Sequence, residues 1–62
     1  MTKFKINKEI AKIHWELNTL SVYLVNYFHT LTNEQVDMIY KQIDELEERL
    51  KELKQMKKEL NK

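Results

Sequence analysis

Hydrophobic positions recur in alternating steps of three and four along most of the chain. The first series is Ile6, Ile10, Ile13, Leu17, Leu20, Leu24, Tyr27 and Leu31. The second is Val36, Ile39, Ile43, Leu46, Leu50 and Leu53, and after Lys57 it resumes at Leu60. Such spacing keeps one face of an α-helix apolar, in the manner of a coiled-coil seam. It predicts two helices, the first over about residues 8–30 and the second over about residues 33–60, with a turn at 30–32. A connection that short sets two helices side by side and antiparallel. The expected fold is therefore an all-α helical hairpin, a single domain over residues 1–62.

The first helix carries more apolar surface than one neighbour can cover. A second line of Ala11, Trp15, Val22 and Val25, with Asn18 and His29 set into it, lies about 100 to 140° round from the seam. Polar residues keep only a narrow arc, chiefly Glu9, Lys12, Glu16, Thr19 and Asn26. A helix of this kind needs helices on two sides. Self-association of two hairpins into an antiparallel four-helix bundle supplies them. The expected oligomer seam is Ile10, Ile13, Leu17, Leu20, Leu24, Tyr27, Leu31, Val36, Ile39, Ile43, Leu46, Leu50 and Leu53, in a homodimer or, with the same pattern, a tetramer.

Local signals fix one helix start better than the other. Thr32 followed three residues later by Gln35 forms a capping box, and Leu31 and Val36 flank it as a hydrophobic staple. Asn7 can cap the first helix, with Glu9 in its first turn. Lys3-Phe4-Lys5-Ile6-Asn7 alternates, which suits a short strand or extended arm, yet Ile6 already fits the helical seam. Asn18-Thr19-Leu20-Ser21 holds three poor helix formers, but the seam crosses it unbroken at Leu17, Leu20 and Leu24.

Composition narrows the options. A chain of 62 residues with no Cys has no disulfide to support a small core, so oligomerisation is the remaining route. Gly and Pro are absent, where average usage would give about seven together, so nothing marks a helix break strongly. No continuous apolar run follows the basic start, and none is long enough to span a bilayer. A soluble cytoplasmic protein without a membrane partner is expected.

The net charge of +1 is uninformative, but its distribution is not. Glu34 to Glu48 holds six acidic residues and one Lys; Arg49 to Lys62 holds six basic and two acidic. Parallel pairing of the second helix would set Arg49 near Lys54, whereas antiparallel pairing sets Glu47 near Lys54. Asp37–Lys41, Glu45–Arg49 and Glu47–Lys51 are spaced for ion pairs along the helix. In a hairpin, Lys3, Lys5, Lys8 and Lys12 join Lys54, Lys57, Lys58 and Lys62 at one tip, a candidate contact for nucleic acid or an acidic protein face.

No catalytic constellation is visible. Ser21 has no His or Asp at a recognisable spacing, and His14 and His29 share no metal-ligand spacing. Asp44, Glu45, Glu47 and Glu48 spread around a helix as a solvated surface. No Gly-rich phosphate loop exists, so no cofactor is expected and the chain reads as non-enzymatic. Among the aromatics Trp15, Tyr23, Tyr27, Phe28 and Tyr40, side chains left exposed make good anchors for another protein. Trp15, Val22 and Tyr23 are the candidate partner surface.

Two nucleic-acid-binding families offer alternatives. Thr19-Leu20-Ser21 and Glu34-Gln35-Val36-Asp37, on a two-helix hairpin of this length, resemble the Rop family of plasmid RNA-binding proteins. The resemblance implies a dimeric four-helix bundle that binds paired RNA loops through the first helix, with His14 and Asn18 in that role and Lys3 at the basic end. The sequence departs from it at Ile10 and Val25, which fall where that face is polar or basic. A ribbon-helix-helix DNA binder would instead use Lys3 to Asn7 as its strand, with Lys3, Lys5 and Asn7 facing the groove, and turn at Asn18 to Ser21. The favoured expectation is a regulatory homo-oligomer that binds another protein, of the kind phages and plasmids encode.

Overall fold

The computed structural model describes residues 2–60, and all structural statements concern these. Helix α1 runs Lys3–Tyr27, a single 3-10 turn covers Phe28–Thr30, and helix α2 runs Asn33–Leu60. The two helices lie antiparallel in a rod of 47 × 15 × 13 Å. The all-α hairpin, its turn and the extent of α2 agree with the periodicity.

The start of α1 is a correction. Neither a strand nor a cap at Asn7 is present, because the helix begins at Lys3, five residues before the expected start. Thr2 is the N-cap, its Oγ1 accepting the Lys5 N–H at 3.3 Å, and the Ile6 N–H donates to the Thr2 carbonyl at 3.0 Å. Ile6 decides the outcome, since as helix it is carried into the core at 1% exposure. The strand of a ribbon-helix-helix arm is thus excluded, and its proposed turn at Asn18 to Ser21 is continuous helix. Thr19 accommodates itself there by donating its hydroxyl to the Trp15 carbonyl at 2.9 Å.

With no glycine to end it, α1 tightens into the 3-10 turn, where the Thr30 hydroxyl donates to the Tyr27 carbonyl at 2.9 Å. Leu31 is extended, and no described residue has positive φ. The capping box closes α2 as expected. The Thr32 N–H donates to Gln35 Oε1 at 2.9 Å, and the Gln35 N–H donates to Thr32 Oγ1 at 3.1 Å. Both members of the staple, Leu31 and Val36, are half-buried.

The core is sealed away from the turn. Ile6, Ile13 and Leu53 are buried together, with Ile10, Leu17, Leu46, Leu50 and Met56 packed on them. Nearer the turn only Ile39 is buried. Tyr27 departs from the expected seam: it stands 51% exposed, because α1 ends there and the seam diverges from α2.

Candidate interaction surfaces

The seam assigned to an oligomer is first of all an intrachain one. Ile10, Leu17, Leu20, Leu24, Leu31, Val36, Ile43, Leu46 and Leu50 are half-buried between the helices, and Ile13, Ile39 and Leu53 are buried. Two helices cover each other on one side only, so one flank of this seam stays open. Glu16, Thr19, Leu20, Gln42, Glu45 and Leu46 line a groove there. Tyr23, Leu31, Gln35, Met38, Ile39 and again Gln42 line its continuation toward the turn. Tyr23 packs on Tyr27 with ring centroids 4.9 Å apart. The groove residues Gln35, Met38 and Gln42 were not anticipated from the sequence.

The candidate partner residues do not form one patch. Tyr23 belongs to the groove. Trp15 and Val22 lie two residues from seam positions on either side, which at about 100° per residue puts them across the helix from α2. There Trp15 is 68% exposed and Val25 76%. Phe4, released from any strand, joins the same line at 75% exposure, seven residues before Ala11. The outer face of α1 is therefore an unpartnered apolar stripe from Phe4 to Val25, with Phe28 exposed at its end.

Charge is sorted as the hairpin requires. Arg49 of α2 reaches Glu9 of α1 at 3.3 Å and Glu52 at 3.2 Å. These are the ion pairs among the described residues; the spaced pairs Asp37–Lys41, Glu45–Arg49 and Glu47–Lys51 do not form. The Glu9–Arg49 register carries Lys3, Lys5, Lys8 and Lys12 to the same end as Lys51, Lys54, Lys57 and Lys58. Lys5, Lys8, Glu9 and Lys12 border one shallow depression. Lys57 is half-buried in the seam, while Lys54 and Lys58 are exposed. Lys62 lies outside the described residues.

Among the described residues, no three His, Asp or Glu gather as a metal site, and no helix is long and apolar enough to cross a membrane. His14 and His29 are both exposed, His29 edge-on to Phe28 at 6.3 Å between centroids. No family model, curated protein or solved structure matches the chain. The functional reading therefore rests on three features of the hairpin itself: the outer stripe, the groove and the basic end.

Proposed function

We propose that this hairpin is a non-enzymatic regulatory protein of the cytoplasm that self-associates and binds another protein. The outer stripe of α1 carries the reading. Phe4, Trp15, Val22 and Val25 stand exposed along it and present a few hundred Å² of apolar side chain, about the size of the largest patch a monomer leaves to water. The groove beside Tyr23 gives a second apolar surface. A homo-oligomer that covers one of them keeps the other for its partner, and aromatic side chains at its rim suit an anchoring role.

Two measurements test this. Sedimentation equilibrium at micromolar concentration should give a species heavier than the 7.6 kDa chain; a folded monomer would refute self-association. Affinity capture from source cells, with nuclease added, should recover a protein that Tyr23→Ala no longer retains. A nucleic-acid reading keeps one specific support, the convergence of lysines from both helices on one end. Phosphate contacts made there would fall steeply with salt, which a mobility-shift titration reads directly.

A further inference from the structure

The outer stripe of α1 has the period of a coiled-coil seam, not merely an apolar composition. Phe4, Lys8, Ala11, Trp15, Asn18, Val22 and Val25 follow one another within α1 in steps of four and three without a gap. A surface with that repeat accepts the knobs of another helix. At about 100° per residue its mean direction lies about 150° from the seam facing α2, further round than the 100 to 140° first assigned to it. A closed square bundle needs two contact faces nearer 90° apart. The stripe therefore calls for a helix on the far side of α1, in line with α2.

The charges of α1 say which helix. Its first turn holds no acidic residue and its last turn no basic one, while Lys3 and Lys5 sit at the positive end of its dipole. Helix α2 is arranged the opposite way, with Glu34 in its first turn and Lys57 and Lys58 in its last. The missing cations for the α1 C-terminus are present on the N-terminus of a second α1. An antiparallel copy brings Lys5 and Lys8 to that end, whereas a parallel copy in register sets Lys8 against Lys8 inside the stripe.

We propose that a second copy of this chain docks along the outer stripe, the two α1 helices antiparallel about a two-fold axis passing between Trp15 and Asn18. This rests on the self-association proposed above and specifies its face and orientation. The axis sets Lys8 opposite Val25 of the second copy, Ala11 opposite Val22 and Trp15 opposite Asn18, each pair occurring twice, with Phe4 reaching the 3-10 turn that follows the second α1. The smallest residue of the stripe meets a branched one. The indole N–H, a donor that burial leaves in need of an acceptor, meets the Asn18 amide oxygen. A polar Asn within such a seam selects register and orientation. Helix axes about 9 Å apart then give four helices in a row, α2, α1, α1 and α2, and the Tyr23 groove stays open for a different protein.

The chain has no cysteine of its own, so introduced thiols report unambiguously. Ala11→Cys and Val22→Cys both lie on the exposed stripe and leave the core intact. Mixed under mild oxidation they should give a disulfide-linked dimer at least tenfold faster than either alone. Rapid linkage of Ala11→Cys with itself means parallel pairing and overturns the proposal. A dimer by sedimentation in which the mixture does not link means that another face is used, which overturns the proposal but leaves self-association standing. A monomer overturns both. Wild-type protein gives an independent readout through Trp15, its one tryptophan. Emission should shift to the red on dilution through the dissociation range, and Trp15→Ala should weaken dimerisation on the order of 1000-fold, two hot-spot losses per dimer. Emission that does not change on dissociation overturns the placement of Trp15.

Discussion

Truncation of Leu53 should be far costlier than truncation of Leu20, although both belong to the same periodic seam. Leu53 is 0% exposed, enclosed by Ile6 and Ile13 with Met56 and Leu50 around them. Leu53→Ala removes its buried methyl groups and leaves a cavity that the surrounding side chains can only partly fill, a cost of about 3–5 kcal/mol. Leu20 borders the open groove with Glu16 and Gln42. Water fills what Leu20→Ala vacates, so only a transfer cost of about 1–1.5 kcal/mol remains. At about 0.05–0.15 kcal/mol per residue a chain of this length has roughly 3–9 kcal/mol in all, so the Leu53 variant stands near the limit of folding. Thermal unfolding followed by circular dichroism, at one fixed protein concentration because association adds to stability, should show Tm lowered by about 20–40 °C for Leu53→Ala and by about 8–12 °C for Leu20→Ala. Equal losses, or a larger one at Leu20, would mean that the sealed end of the core is not where the hairpin is held together.

Three other outcomes follow from single contacts. Thr32→Ala removes the bond that its hydroxyl accepts from the Gln35 N–H and should lower stability by about 1 kcal/mol in urea titrations, and Gln35→Ala should add a further, smaller loss because the bond from the residue 32 N–H to Gln35 Oε1 is a separate one. A double-mutant cycle of Glu9→Gln and Arg49→Met should give a coupling below about 1 kcal/mol that shrinks further in high salt, because both side chains remain more than two-fifths exposed. Changing Lys12, Lys51, Lys54 and Lys58 to Gln spares the stripe, the lysines assigned to the second α1 and the half-buried Lys57. It should leave capture of a protein partner intact, and tight salt-sensitive binding of wild type to RNA or DNA that this variant loses would favour the nucleic-acid reading instead.

How much of this was legible in the sequence depended on whether a signal had competitors. The capping box at Thr32 and Gln35 had none, and α2 begins at Asn33 as expected. The first residues did have one: charged and apolar residues alternating over Lys3 to Asn7 fit a period of two and of 3.6 equally well. Taking Asn7 as the cap concealed Thr2, and with it the membership of Phe4 in the outer stripe. Arg49 was paired by spacing with Glu45 on its own helix, but a long side chain flanking the seam finds Glu9 across it once the helices are docked. The groove was hidden for a different reason. Tyr23, Gln35 and Gln42 are readable as uncharged flanks of two seams, but which flanks face each other depends on the side to which the chain turns after Tyr27, and no periodicity encodes that.

The two helices are not equally self-sufficient, and this asymmetry gives the outer stripe a consequence beyond assembly. Helix α2 is rich in Glu, Lys and Leu, and its charges suit its dipole at both ends. Helix α1 holds Asn18, Thr19 and Ser21 in succession around Leu20, then Val22 and Val25, with its charges opposing its dipole. Residues of that kind lose rotamer freedom or compete for backbone hydrogen bonds, so α1 depends on packing for its stability more than α2 does. Packing from α2 reaches only one of its faces. Dilution below the dimer's dissociation range should therefore loosen α1 first. Hydrogen exchange would show amides from Asn18 to Val25 losing protection ahead of those from Ile43 to Leu53, which stay anchored in α2. Protection of α1 that survived dissociation unchanged would mean that α2 alone holds it, and the second seam would then have no part in keeping the helix folded.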